Sequence, residues 1–275
     1  MSNVLTAVGV VGGLGLLFGA LLSFASKVFH VKVDYKVEAV RAALPGANCG
    51  ACGFPGCDGM AAHIALEDGP VNGCPVGGQP VADKVAEIMG KVAVAGAKEV
   101  ACVMCQGDAT RAKERYTYTG PRDCRSNAAT GGGGSKACTF VCLGGGTCKD
   151  CGQFGASEII NGLAGIYREK CTACGKCVEV CPKKIIEMVP YDQEVMVKCK
   201  NTEPGKEVRQ KCAVGCIACN LCARTAPEAF VVENNLAKAQ FPFAQDPAEA
   251  VQKCPTGCIY PGLAAKEAAK KEKAV

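Results

Sequence analysis

The N-terminal part of the chain is one long apolar segment. Residues 4–29 are apolar or small, with no charged side chain before Lys27. At about 1.5 Å per helical residue, such a segment spans the roughly 30 Å hydrocarbon core of a bilayer. A signal peptide would have a basic start, a shorter apolar run and a small-residue cleavage site. The pattern therefore favours a retained transmembrane helix over a cleaved signal.

Basic residues follow this segment, and none precedes it. They are Lys27, His30, Lys32, Lys36 and Arg41. Because positive charge beside a membrane helix is enriched on the cytoplasmic side, the pattern predicts a single-pass protein of the cell membrane. Its C-terminal domains are expected in the cytoplasm.

The remainder of the chain carries only short periodic segments. Apolar residues at helical spacing over residues 58–66 predict a helix that buries Met60, Ala61 and Ile64. Residues 79–101, rich in alanine and polar side chains, predict a helix or a linker. Partly β-branched runs predict strands in small hairpins, at residues 157–161, 165–168, 185–189 and 194–197. These patterns indicate an α+β fold behind one membrane helix.

The composition does not suit an ordinary hydrophobic core. The 275 residues include 34 glycines and 22 cysteines but no tryptophan. Small domains that bury little apolar surface are often stabilised by metals or disulfides, and disulfides need an oxidising compartment. The formal charge of +5 is spread out, without an arginine-rich stripe or stacking aromatics. Binding to nucleic acid is therefore not expected.

One cysteine motif indicates the chemistry. Cys171, Cys174, Cys177 and Cys181 form a C-x2-C-x2-C-x3-C run followed by Pro182, which is typical of bacterial ferredoxins. The first three thiolates of such a run bind one iron–sulfur cluster, and the fourth binds a neighbouring cluster. Zinc usually takes two separated C-x2-C pairs instead. The run predicts [4Fe–4S] clusters and a partner motif elsewhere in the chain.

A second group of four cysteines lies nearer the membrane segment. Cys49, Cys52, Cys57 and Cys74 are spaced C-x2-C-x4-C-x16-C, with glycines beside the thiols where the backbone turns closely. We interpret them as a self-contained cluster site. His63, between the third and fourth of these cysteines, is interpreted as a surface or helix-packing residue rather than a ligand.

The order of these parts resembles a known family. A membrane helix, this four-cysteine module and tandem ferredoxin motifs are similar to the B subunit of the Rnf complex, the membrane ferredoxin:NAD oxidoreductase that pumps sodium ions or protons. The resemblance runs from the N-terminus to about residue 260. The four-cysteine module alone also occurs in a corrinoid iron–sulfur protein, so the order of parts carries the resemblance.

The resemblance implies a partner for the ferredoxin motif. Cys138, Cys142 and Cys148 resemble a stretched motif, as in clostridial members of the family, and with Cys181 they would bind one cluster. The cluster of the other three motif cysteines needs a fourth ligand from this region. Where the family has Cys-Pro at 152 and 153, this chain has Gly-Gln, with Cys151 one position early. Either Cys151 is that ligand, or the cluster has a non-cysteine or missing fourth ligand.

A repeat of the motif, near the C-terminus, has lost half of its cysteines. It retains Cys216, Cys219, Cys222 and Cys254, which would bind one cluster. There are 31 residues between Cys222 and Cys254, and 32 between Cys148 and Cys181, so both sets are expected to pair in the same way. The four positions of the other cluster, one of them Ala226, lack cysteine. We expect apolar packing there instead, by Phe230, Phe241 and Phe243.

These four sets leave six cysteines over. Four of them fall where clostridial relatives also tend to have cysteine: Cys105, Cys124, Cys199 and Cys212. They would either bind a fifth cluster or remain as buried thiols. Cys102 and Cys258 have no assigned role. The expected cofactors are thus four [4Fe–4S] clusters, or five.

Several clusters in a chain without a Rossmann glycine motif, a P-loop or an acid–base pair indicate one-electron transfer. The resemblance implies that the chain takes low-potential electrons from ferredoxin within an ion-translocating oxidoreductase. Its partners would be membrane subunits, flavin subunits and an NAD-binding subunit. Three other classes stay open on the residues alone. They are the iron–sulfur subunit of another anaerobic redox enzyme, such as a corrinoid-linked one, a zinc-binding structural module, and a structural anchor whose clusters only hold the fold.

The predicted organisation is a series of small units. They are a transmembrane helix (1–30), a four-cysteine iron–sulfur domain (31–95), a linker and cysteine-rich region (96–154), a ferredoxin-like module (155–211), a degenerate second module (212–262) and a solvated tail (263–275). Residues 79–101 and the glycines at 131–134 are expected to be flexible and to let the cluster modules move relative to the membrane helix.

Overall fold

The computed structural model describes residues 2–29, 34–94 and 96–261. The helices are α1 (Ser2–Val28), α2 (Tyr35–Ala43), α3 (Cys57–Leu66), α4 (Gly78–Met89), α5 (Cys124–Ala128), α6 (Thr147–Asp150), α7 (Lys176–Val180), α8 (Gly205–Lys211), α9 (Leu221–Thr225) and α10 (Ala248–Gln252). The strands are β1 (Glu99–Val103), β2 (Ser157–Ile160), β3 (Leu163–Ile166), β4 (Ile186–Pro190), β5 (Met196–Val197), β6 (Phe230–Glu233), β7 (Leu236–Ala239) and β8 (Ile259–Tyr260).

Helix α1 is the apolar helix that the sequence predicts. Within the described residues, Thr6–Val28 is the one stretch long and apolar enough to cross a membrane, with a mean hydropathy of 2.1. Its large apolar side chains are exposed, with Leu16 79% exposed and Leu22 70% exposed. Such exposure of large apolar side chains suits a lipid environment. His30 and Lys32, used above to predict orientation, lie outside the described residues.

Helices α2, α3 and α4 pack into a small domain around the first four cysteines. Val40, Ile64 and Val85, one from each helix, are fully buried at its centre. Helix α3 buries Met60 and Ala61 as well, as its sequence spacing predicts. Helix α4 ends at Gly90, whose φ of 66° lies in the left-handed region. The helix predicted within residues 79–101 is therefore present as α4, and β1 begins at Glu99 near the end of that segment.

Within the described residues 96–261, the strands form four two-stranded antiparallel ladders. Strands β2 and β3 form the predicted hairpin, and β6 and β7 form its counterpart near the C-terminus. The predicted strands β4 and β5 are present, but they pair with distant partners: β4 with β1 and β5 with β8. The first pairing joins the cysteine-rich region to the ferredoxin-like module, and we call residues 96–211 the first module. Residues 212–261 are the last module.

The four consecutive glycines form an anchored turn. Gly131–Gly133 is one 3-10 turn, and Gly132, Gly133 and Gly134 all have positive φ, which glycine adopts readily. Arg115 Nη1 donates to the carbonyl of Gly132 at 2.8 Å, and Tyr116 donates to Gly131. The structure thus gives these glycines a defined turn, with side-chain donors bonded to two of their carbonyls.

The last module has an apolar core where its second cluster would lie. Ala226 and Phe230 are each 1% exposed, and Ala250 is fully buried. The ring of Phe243 lies 6.3 Å from that of Phe230 and 5.6 Å, edge to face, from that of Phe241. The predicted replacement of cluster ligands by apolar packing is confirmed, although Phe241 stays 38% exposed. The predicted tail, residues 263–275, lies outside the described residues.

Candidate metal centres

The four cysteines of the N-terminal domain, which we call site I, lie on loops around α3. Cys57 begins this helix, and its N–H donates to the side chain of Asn48 at 2.8 Å. Gly77 donates its N–H to Cys74 Sγ at 3.4 Å. Burial raises the pKa of Cys74, and the nearby thiols of Cys52 and Cys57 raise it further. We define site I as these three cysteines together with Cys49, which is assigned to the set from its spacing in the sequence.

Site II lies on the ferredoxin motif. Burial raises the pKa of Cys177 to about 12, with further contributions from Cys171, Cys174 and Cys151. The structure thus brings Cys151 to the three motif cysteines despite its early position in the sequence. Ala101 of β1 donates its N–H to Cys171 Sγ at 3.3 Å. Site II consists of Cys151, Cys171, Cys174 and Cys177.

Site III differs from the predicted grouping. Cys142, Cys148 and Cys181 line a small cavity as expected, but the fourth thiol is that of Cys124 rather than Cys138. Burial raises the pKa of Cys148 to about 12, with contributions from Cys142, Cys124, Cys177 and Cys181. Cys177 belongs to site II, so the two sites are neighbours. Site III consists of Cys124, Cys142, Cys148 and Cys181.

The position of Gly145 explains why Cys124, and not Cys138, belongs to site III. Cys142, Gly145 and Cys148 have the C-x2-C-x2-C spacing of the other motifs, with glycine at the middle position. A Cβ at Gly145 would lie 2.8 Å from the backbone N of Cys124 and 3.1 Å from its Sγ. The thiol of Cys124 therefore occupies the space beside the position where the motif lacks its middle cysteine.

Asp123 and Thr147 hold Cys124 against this loop. The N–H of Cys124 donates to Thr147 Oγ1 at 2.8 Å, and that hydroxyl donates to Asp123 Oδ1 at 2.8 Å. The other carboxylate oxygen of Asp123 accepts from Ser126 N and caps α5. These bonds, the one from Ser126 first, lower the pKa of Asp123 to about 2. A helix that begins at Cys124 thus presents its first side chain to the cavity.

Site IV contains Cys138 together with three of the leftover cysteines. Their thiols line one cavity, and burial raises the pKa of Cys138, with contributions from Cys199 and Cys212. Asn201, which is 1% exposed, donates its backbone N–H to Cys199 Sγ and its side-chain N–H to Cys138 Sγ, both at 3.4 Å. Site IV consists of Cys105, Cys138, Cys199 and Cys212.

Site V is the surviving set of the last module. All four thiols line one cavity with apolar walls, and Ala237 of β7 donates its N–H to Cys216 Sγ at 3.4 Å. Cys258, which is 1% exposed, lines the same cavity. The sulfurs of Cys199 and Cys216 share the single S–H of Cys258, and this interaction is the main cause that lowers the pKa of both thiols. Site V consists of Cys216, Cys219, Cys222 and Cys254.

The donor groups fit iron–sulfur clusters better than single metal ions. All 22 cysteines are free thiols. Across residues 2–29, 34–94 and 96–261, no three His, Cys, Asp or Glu side chains converge closely enough to hold one ion. Cluster ligands stand further apart because each binds a different iron atom. A buried hydroxyl beside site II, Thr172 Oγ1, has no hydrogen-bond partner, and a cluster sulfur would supply an acceptor there.

Sequence reasoning did not find the roles of Cys124 and Gly145. The available signal was the three-residue spacing from Cys142 through Gly145 to Cys148 and Cys151, which repeats the spacing at residues 171–177 and 216–222. His63, in turn, is paired with Glu67, its Nδ1 lying 2.8 Å from the carboxylate. Cys102 is buried beside Met196 and is a member of none of the five sites.

Two segments of the chain match known iron–sulfur families. Residues 44–76 match a family model for an Fe-S cluster, and residues 164–187 match the 4Fe-4S binding domain model. The chain is 49% identical to the B subunit of the Na(+)-translocating ferredoxin:NAD(+) oxidoreductase complex of Acetobacterium woodii, over 88% of this chain and 73% of that protein.

Two further relatives carry related names. The B subunit of the proton-translocating ferredoxin:NAD(+) oxidoreductase complex of Clostridium ljungdahlii is 39% identical, over 86% of this chain and 84% of that protein. The B subunit of the ion-translocating oxidoreductase complex of Methanosarcina acetivorans is 38% identical, over 82% and 86%. The names of the Acetobacterium and Clostridium proteins specify sodium ions and protons, respectively.

Proposed function

Because the chain belongs to the family of Rnf complex B subunits, we propose that it binds five [4Fe–4S] clusters, one at each of sites I to V. It is an iron–sulfur electron-transfer subunit of an ion-translocating ferredoxin:NAD oxidoreductase complex. The observation that carries the proposal is the grouping of twenty of the 22 cysteines into five sets of four, with backbone N–H donors directed at their sulfurs.

Contacts between the sites support a linear electron path through the two modules. Site II adjoins site III through Cys177 and Cys148. Site III adjoins site IV, because Cys142 lies beside Cys105. Site IV adjoins site V, because Cys258 contacts a thiol of each. Electrons would therefore pass between sites in the order II, III, IV, V, or the reverse.

We further propose which proteins exchange electrons with this path and where in the cell it lies. Ferredoxin donates the electrons, and membrane, flavin and NAD-binding subunits of the complex receive them. Helix α1 anchors the chain in the cell membrane, with sites I to V on the cytoplasmic side, where thiolates and low-potential clusters are kept reduced. N–H donors near cluster sulfurs and the degree of burial would set the potential of each cluster.

The test is a count of iron and acid-labile sulfide per chain in anaerobically purified protein. Five four-iron clusters predict about twenty irons, and four clusters predict about sixteen. Reduced ferredoxin should then reduce the clusters, as followed by EPR during a titration. Stoichiometric zinc with little iron, or clusters that reduced ferredoxin leaves oxidised, would contradict the proposal.

A further inference from the structure

A buried lysine lies between sites III and IV. Lys136 is 4% exposed, and its ammonium group donates to the carbonyl oxygens of Gly107 and Gly162, both at 3.0 Å. Among the described residues, none of the ion pairs includes Lys136. A buried lysine is normally paired with a negative group, because leaving water is costly for the charge.

The two carbonyls belong to the loops that serve both sites. Gly107 donates its own N–H to Cys105 Sγ of site IV at 3.3 Å. Two residues beyond Gly162, Ala164 donates its N–H to Cys142 Sγ of site III at 3.4 Å. Lys136 therefore joins the two loops that direct N–H donors at sulfurs of neighbouring sites.

Hydrogen bonds place the lysine between the two sets of thiols. Lys136 lies two residues before Cys138 of site IV. Its ammonium group binds the two loops whose N–H groups donate to Cys105 Sγ of site IV and to Cys142 Sγ of site III. Clusters bound at these two sites would supply the negative charge that the buried ammonium otherwise lacks.

We propose that Lys136 is a shared counter-ion of sites III and IV, which raises the reduction potentials of both clusters relative to those of the other sites. The inference rests on the proposed function, since it requires clusters at these sites. A cluster becomes more negative by one electron when it is reduced, and a fixed cation nearby in a low dielectric favours that form. Lys136 is a positioning residue, because it acts through the charge of the clusters and does not bind them.

The experiment is an EPR-monitored redox titration of the full-length protein and its Lys136→Met variant. We expect two of the five midpoint potentials to become more negative. The ratio of reduced to oxidised cluster at those two sites, at a fixed potential, should fall about tenfold, which corresponds to about 59 mV for a one-electron couple. Lys206→Met, which removes an exposed and solvent-screened charge, is the matched control and should leave all midpoints unchanged.

Two further variants separate charge from packing. Lys136→Arg keeps the charge and should keep the midpoints, whereas Lys136→Gln keeps a donor without the charge and should reproduce the shift. If Lys136→Met assembles too little iron to titrate, the comparison of these two variants decides. Unchanged midpoints in the uncharged variants, or an equal shift of all five, would overturn the inference. The iron content of the wild-type protein tests the proposed function separately. Fewer than about twenty irons per chain would contradict that function and not the role of Lys136.

Discussion

The first and last modules treat a missing cysteine in opposite ways. In the first module, Gly145 stands where the motif lacks its middle cysteine, and Cys124 brings a thiol into that space from another segment. In the last module, Ala226 stands where a motif cysteine is lacking, and the surrounding space is filled by Phe230, Phe243 and Ala250. One site keeps four thiols, and the other becomes apolar core.

The difference follows from what surrounds each gap. Around Gly145 the three remaining thiols still converge, and Asp123 and Thr147 hold a fourth thiol in reach of them. Around Ala226 all four positions lack cysteine, so burying aromatic and aliphatic side chains there is the stable outcome. A set of four thiols is thus kept where another segment supplies the single missing cysteine. Where all four cysteines are missing, apolar side chains fill the whole site.

Of three substitutions that test this difference between the modules, the removal of Cys124 should have the largest effect on the protein. With Cys124→Ala, site III has three thiols, and we expect the protein to lose about four of its roughly twenty irons. Cys102→Ala is the control, because Cys102 is also buried and belongs to none of the sites. Iron and sulfide analysis measures both. A full iron complement in Cys124→Ala would show that its thiol is not required.

Truncation of Phe230 should have the second largest effect. It tests whether the apolar core stabilises the last module in place of a cluster. Phe230→Ala leaves a cavity in the last module and should lower the free energy of unfolding by about 3–5 kcal/mol. Phe241→Ala is the control, since that ring is 38% exposed and should cost clearly less. Urea denaturation followed by circular dichroism compares them. Equal losses would mean that the aromatic core does not stabilise this module.

A methyl group at Gly145 should have the smallest effect of the three. Its Cβ would lie 2.8 Å from backbone atoms of Asp123 and Cys124, so the segment carrying the thiol must move. We expect Gly145→Ala to lose about 1–3 kcal/mol of stability and to bind less iron at site III. Gly152→Ala is the control, since the nearest atom to its Cβ is 3.6 Å away. If both variants behave alike, close packing at Gly145 is unimportant.

Local patterns in the sequence were sufficient for much of the fold. The apolar run predicted helix α1, the spacing of Met60, Ala61 and Ile64 predicted α3, and β-branched runs predicted the β2–β3 hairpin. The sets at sites I and V follow from spacing alone, because their cysteines lie on one loop or at the distances of a repeated motif. Family resemblance identified the right class of protein.

Contacts between segments that are far apart in the sequence could not be predicted from these local patterns. Cys105 and Cys199 line one cavity although they follow two different strands, β1 and β5, and strand partners cannot be read from the strands themselves. Cys138 was grouped by its nearness in sequence to Cys142, although it belongs with Cys199 and Cys212. The glycines at 131–134 were expected to be flexible because the donor that fixes them, Arg115, is remote in sequence.

The most direct test of the account is the iron content of two double variants. Cys124→Ala with Cys142→Ala removes two ligands of one site, so we predict a loss of one cluster and about sixteen irons per chain. Cys138→Ala with Cys142→Ala removes one ligand from each of two sites, so we predict about twelve irons per chain. The reverse result, about twelve irons for the first pair and about sixteen for the second, would contradict the assignment of Cys124 to site III and Cys138 to site IV.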